Sequence, residues 1–182
     1  MPRVAAEQPE ITFEKGDEMP QMTSSEQLFE HELQDMYYAE NTLTKVLPKL
    51  AEEVSDEELA QAFQHHLEET RQHVDNLEQV FAEMGMSAKG EDCPGIDGIK
   101  EEHDTFMREH DPSSELVDMF VTGAAARTEH YEIAAYTGLV GMAESLGATK
   151  AAGLLEKNLE QEKKALEKVE RISKRLMKEN AA

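Results

Sequence analysis

From Phe29 onward the apolar residues fall at Phe29, Leu33, Met36, Leu43, Leu47 and Leu50, stepping by four and three with one gap. That spacing is the buried seam of an amphipathic helix in a bundle. Thr23, Ser24 and Ser25 offer caps, with Glu26 and Gln27 placed to complete a capping box, and the pattern runs to about Glu53. Pro48 deletes one backbone hydrogen bond and is expected to kink or loosen the last turns. A second seam reads Leu59, Phe63, His66, Thr70, His73, Leu77, Val80 and Met84. It predicts a helix from the Ser55-Asp56-Glu57-Glu58 start to Met84, where Gly85 stops it. Residues 85–114 hold Gly85, Gly90, Pro94, Gly95, Gly98 and Pro112, a long connection around one short helix near residues 96–109.

Ser113 or Ser114 then caps a helix to about Leu146, ended by Gly147, and a last helix runs from Thr149 to Lys178. The last seam is Leu155, Leu159, Glu162, Leu166, Val169, Ile172 and Leu176. No segment alternates as a strand would. Four long helices with a long link between the second and third predict an all-α four-helix bundle with a crossover. Residues 24–180 form that domain, and the polar residues 1–23, with three prolines, read as a flexible extension. Sliding the chain by 92 positions superposes Glu40 on Glu132, Leu67 on Leu159, Leu77 on Val169, Val80 on Ile172 and Glu69 on Gln161. A helix pair used twice would leave such a trace.

The gap in the first seam is filled by Glu40, a carboxylate where a hydrophobe belongs. Glu69, Glu129, Glu132 and Glu162 stand at or beside the seams of the other helices. Each buried, unpaired carboxylate costs several kcal/mol even after relaxation. A whole domain has only about 5–15 kcal/mol to lose. The seams offer no lysine or arginine, only His66 and His73. Two divalent cations would balance Glu40, Glu69, Glu132 and Glu162, and carboxylate with imidazole and no sulfur suits iron or manganese. The candidate ligands are therefore Glu40, Glu69, His73, Glu129, Glu132 and Glu162, with His66 in reserve. Glu40 and Glu132 would each favour one metal, Glu69 and Glu162 would bridge, and His73 would complete one side. Tyr37 and Tyr136, a turn away from Glu40 and Glu132, could hydrogen-bond ligand carboxylates.

The net charge of −21, from 18 basic and 39 acidic residues, argues against nucleic acid and anionic membrane as partners. Aromatic residues are 5% with no tryptophan, so the core rests on Leu, Ala, Val and Met. Cys93 is the single cysteine, and neither a secretory segment nor an apolar run of about 20 residues is evident. A cytoplasmic setting is expected.

Three runs carry a family resemblance: Leu33-Gln34-Asp35-Met36-Tyr37-Tyr38-Ala39-Glu40, Leu67-Glu68-Glu69-Thr70-Arg71-Gln72-His73, and Glu129-His130-Tyr131-Glu132-Ile133-Ala134-Ala135-Tyr136. Together they resemble the bacterial YciE/YciF family of ferritin-like proteins, over about residues 24–178. The resemblance implies a ferritin-like bundle, a homodimer, a place in stress responses and a di-metal centre. Where a typical member has paired glutamates in the fourth long helix, this chain has Gln161-Glu162. The expected function is a di-iron or di-manganese carboxylate protein, ferroxidase- or peroxidase-like, acting with O₂ or H₂O₂. The alternative is a dimeric helical scaffold of the stress response without turnover.

Overall fold

The structure, a computed structural model, describes residues 21–181. It consists of α1 (Ser25–Glu53), α2 (Glu57–Glu83), α3 (Pro94–His110), α4 (Ser114–Ser145) and α5 (Thr149–Glu179), with no strand among the described residues. Of the expected N-terminal extension only residues 21–23 are described, as coil before the first cap. The remainder of that expectation lies outside the described residues. No helix among them is long and apolar enough to cross a membrane.

Local chemistry sets each boundary. Ser24 caps α1 by accepting from Gln27 N, while the Gln27 side chain accepts from Ser24 N, which closes the capping box. Pro48 does not break α1, which continues to Glu53. At α2 the cap is Asp56, whose carboxylate accepts from Leu59 N. Ser55 is used differently: its N and Oγ both donate to the buried Asp118 at 2.7 and 2.6 Å, tying the α1–α2 turn to the start of α4. Gly85 and Gly147 take positive φ directly after α2 and α4, the left-handed stop that a Cβ would penalise.

The four long helices pack as a ring, α1 on α2, α2 on α5, α5 on α4 and α4 on α1. Lys150 at the start of α5 reaches Glu83 at the end of α2, and Arg175 near the end of α5 reaches Asp56 at the start of α2. α5 is therefore antiparallel to α2 and also, through a short turn, to α4. It follows that α2 and α4 run the same way, and residues 84–113 must travel back along the bundle. α3 makes that return. It lies along the α1–α4 groove, with Tyr38 Oη donating to Asp97, Cys93 Sγ 2.9 Å from Tyr131 Oη, His103 on Glu53 and Phe106 stacked on Phe120. This is the ferritin-like bundle with one crossover.

The seams lie inward. Phe29, Leu33, Met36, Leu43 and Leu47 of α1 are buried with Leu59, Phe63, Leu77 and Val80 of α2. α5 departs by one residue: Ala165 is buried one turn after Glu162, while Leu166 is only partly so. Strict four-three stepping averages 3.5 residues per turn, so an α-helix of 3.6 drifts away from it.

Candidate metal centre

Midway along the bundle every long helix sends acid or imidazole inward. Glu40 (α1), His66 and His73 (α2), Glu129 and Glu132 (α4) and Glu162 (α5) are all buried, none more than 6% exposed. One ligand atom each from His66, Glu129, Glu132 and Glu162 lie within 4.8 Å of one another, and the same holds for Glu40, His73 and Glu162. Glu162 belongs to both groups. The placement follows from register, since His66 and His73 are two turns apart on one face of α2, and Glu129 and Glu132 share a face of α4.

Six carboxylate oxygens in this layer have no hydrogen-bond partner: Oε2 of Glu40, Oε2 of Glu129 and both oxygens of Glu132 and Glu162. Buried polar atoms are almost always paired, so the concentration is unusual. Thr70 Oγ1, on the α2 seam between the two histidines, is a further unpaired atom. His73 Nδ1 stands 3.1 Å from Glu40 Oε1 as a hydrogen bond and 2.8 Å from Glu162 Oε1 without hydrogen-bond geometry. His66 Nε2 is 3.5 Å from both Glu129 Oε1 and Glu162 Oε2.

Crowding shifts protonation throughout the layer. Burial pushes Glu129 and Glu132 well above the usual carboxylate range, and for Glu132 the neighbouring Glu162, Glu40 and Glu129 push the same way. Glu40 is raised by burial against the pull of His73. Burial works against charge on Glu162 too, yet His73 and His66 outweigh it and hold its carboxyl low. Burial alone would neutralise the imidazoles. Opposing carboxylates win instead, Glu129, Glu69 and Glu162 lifting His66 to about 9, and Glu40 and Glu162 lifting His73 to about 10. Without a cation, the layer keeps its charge tolerable only by holding protons.

Each histidine is also fixed from behind. Gln161 Oε1 accepts from His73 Nε2 at 3.0 Å, and Glu69 Oε2 lies 3.4 Å from His66 Nδ1. These two positions are the ones the 92-residue slide superposes. A chain of amides completes the support: Asn76 Nδ2 donates to Asn158 Oδ1, Asn158 Nδ2 donates to Tyr136 Oη, and Tyr136 donates to Glu40 Oε1. Ring and carboxylate orientations are thereby set by the fold itself.

Two expected residues lie elsewhere. Glu69 is outside both ligand groups; its side chain, 20% exposed, sits against His65 and His66 at the α2–α5 edge because Thr70 takes the inward position. Tyr37 donates to Glu78 at 2.9 Å and packs edge-on to Phe81, because at three residues before Glu40 its ring falls toward α2 rather than the layer. Tyr136, four residues after Glu132, is fully buried and does reach Glu40. Asn76 and Asn158 have no place in the sequence reading, although an asparagine four residues before a seam glutamate, as Asn158 is, was the available signal; Gln161 enters it only as the departure from paired glutamates and not as a partner of His73.

The family model described as a domain of unknown function, DUF892, matches residues 24–182. The chain belongs to this family. It is 42% identical over 143 residues to the protein YciF of Escherichia coli K12, covering 78% of this chain and 86% of that one. The crystal structure of the E. coli stress protein YciF superposes with a TM-score of 0.81 at 37% identity, over 86% of this chain and 99% of that one. YcfI of Rhodopseudomonas palustris gives 0.80 at 38% identity, over 83% and 96%. A Xanthomonas campestris protein with 22% identity and a TM-score of 0.64 shares the fold. The likeness to YciF that the motifs suggested is therefore shown across nearly the whole bundle.

Proposed function

We propose that the buried layer is a di-metal centre and that the chain is a ferritin-like carboxylate protein using iron, or else manganese, with O₂ or H₂O₂ in a stress response. The observation that carries this reading is the set of six unpaired carboxylate oxygens in one buried layer. Glu40, His73 and Glu162 would hold one ion, His66, Glu129, Glu132 and Glu162 the other, with Glu162 shared. Such a pair, when bound in its divalent state, would supply one electron from each ion to a small oxidant. The chain's own part is placement, charge balance and exclusion of water. Gln161 and Glu69 hold the outer histidine nitrogens, Tyr136 steadies Glu40, and protons on the imidazoles and raised carboxyls leave as cations enter. A cleft at the α2–α5 edge, lined by His65, His66, Glu69 and Glu129, with room of about 20 Å³, leads inward from Glu69 and suits an ion's arrival.

Aerobic Fe(II) addition followed by absorption tests this: an oxo-bridged ferric pair gives near-ultraviolet charge-transfer bands. A flat spectrum, with the iron left in the buffer, refutes it. The homodimer implied by the family resemblance belongs to the same reading, and sedimentation should return twice the 20.5 kDa chain mass. The scaffold reading keeps one observation in its favour, the pairing of His73 with Glu40 and Glu162, which partly satisfies the acids without an ion. It predicts that metal leaves the melting temperature of the wild type and of Glu162→Ala alike unmoved, and that Glu162→Ala leaves partner binding untouched.

A further inference from the structure

A second hollow adjoins the acidic layer from the crossover side. Between α1, α3 and α4 the fold leaves a cavity of about 200 Å³. Its walls are apolar, formed chiefly by Leu43, Leu47, Leu50, Phe63, Ile96 and Ile99. His66 and Glu129, two members of the four-residue ligand group, also line it. The charged residues of its lining are largely matched among themselves: Lys100 Nζ lies 2.5 Å from Asp104, and His103 Nε2 lies 3.0 Å from Glu53. Only Lys49, exposed on α1, is left over.

The hollow is partly open to solvent at Lys49 and Lys100, and its size and largely apolar walls beside His66 and Glu129 are those of a small-molecule site. A dry apolar cavity of about 150 Å³ is enough to take up benzene. Apart from Lys49, whose exposed ammonium stays hydrated, the lining charges are paired among themselves, and the Glu129 carboxylate opposes an anionic guest. α3 supplies one wall through Ile96 and Ile99, which gives the crossover helix a purpose beyond returning the chain.

We propose that this cavity binds an uncharged, mostly apolar organic molecule about the size of one aromatic ring, held against His66 and Glu129. The proposal rests on the metal reading for its meaning, because the guest would then lie beside the ions. The protein does not need metal merely to hold it.

Toluene is the probe and benzoate its charged counterpart. Proton NMR titration of toluene into the full chain should saturate at one site, with benzoate at least tenfold weaker. In protein loaded with Mn(II), bound toluene protons should relax much faster than in protein loaded with Zn(II). Ala125→Leu fills the cavity from α4, and Ile99→Phe fills it from α3, where the residue is only half-buried and overpacking is tolerable. Each variant that keeps the wild-type helical spectrum should weaken toluene at least tenfold. Absence of saturable uptake, equal binding of benzoate, or unchanged affinity in the filled variants overturns the proposal. So does ordinary relaxation in a chain shown to hold Mn(II). Toluene uptake by a chain that binds no metal removes the metal reading and leaves the pocket, whereas metal uptake without toluene does the reverse.

Discussion

Replacing Glu132 by methionine should make the metal-free protein more stable and cut its response to metal to that of the single ion held by Glu40, His73 and Glu162. Glu132 is fully buried, neither oxygen has a partner, and Glu162, Glu40 and Glu129 all oppose its ionisation. Methionine matches its volume and brings no charge. Exchanging buried ionic groups for apolar ones of similar size gains about 1–4 kcal/mol in favourable cases. A chain of this length melts roughly 2–4 °C higher per kcal/mol, so a rise of about 2–16 °C is expected in chelator at pH 8. Metal should narrow or reverse that gap, because the ion lost from the variant contributes about 2.7 kcal/mol to the wild type at a hundred times its Kd. Calorimetric melts of both proteins, with chelator and with anaerobic Mn(II), give the four numbers needed. A variant that melts below wild type in chelator, yet gains as much from metal, would refute the reasoning.

The pH dependence has a definite sign. His66 and His73 have folded pKa values of about 9 and 10 against an ordinary 6.5, so their contribution is complete below 6.5 and lost as pH climbs toward 10. Glu129 and Glu132, also raised, act in the same sense above 4.5, while the lowered Glu162 matters only on acidification below it. Melting temperature in chelator should therefore fall from pH 6.5 to 10, and the gain from metal should grow over that window, as paired thermal scans will show. Gln161→Leu should weaken metal binding about 10–100-fold by freeing the His73 ring, whereas Tyr37→Phe should leave it unchanged; competition with a chromophoric chelator reads both. Asp118→Ala, which cuts the tie to Ser55, should cost about 2 kcal/mol in chemical denaturation and leave metal stoichiometry intact.

The seams were legible because hydrophobic burial is periodic, and a glutamate that interrupts the period, as Glu40 and Glu162 do, announces itself. Rotation within the turn was not. On α5 the seam names Leu166 where Ala165 is the buried residue; on α2 it puts Thr70 inward with Glu69 beside it, as the structure does, so spacing itself left Glu69 at the edge. His66 was ranked below His73, although both occupy inward positions two turns apart, because spacing does not reveal what another helix places opposite. Gln161 and Asn158 look like ordinary polar residues of α5 until the fold brings His73 and Tyr136 against them. The strand-free bundle was readable from start and stop residues, but the Ser55–Asp118 tie joins positions 63 apart and has no local signature. The 92-residue slide anticipated structural equivalences: Glu40 and Glu132 both lie buried in the acidic layer, and Glu69 and Gln161 each stand behind a histidine.

Metal stoichiometry measured variant by variant bears most directly on the interior acids. After anaerobic loading with Fe(II) and removal of excess, elemental analysis should find two ions per chain in wild type, one in Glu40→Ala and none in Glu162→Ala, whose side chain serves both groups. Wild-type protein that emerges without iron, or variants that retain the full complement, would contradict the account.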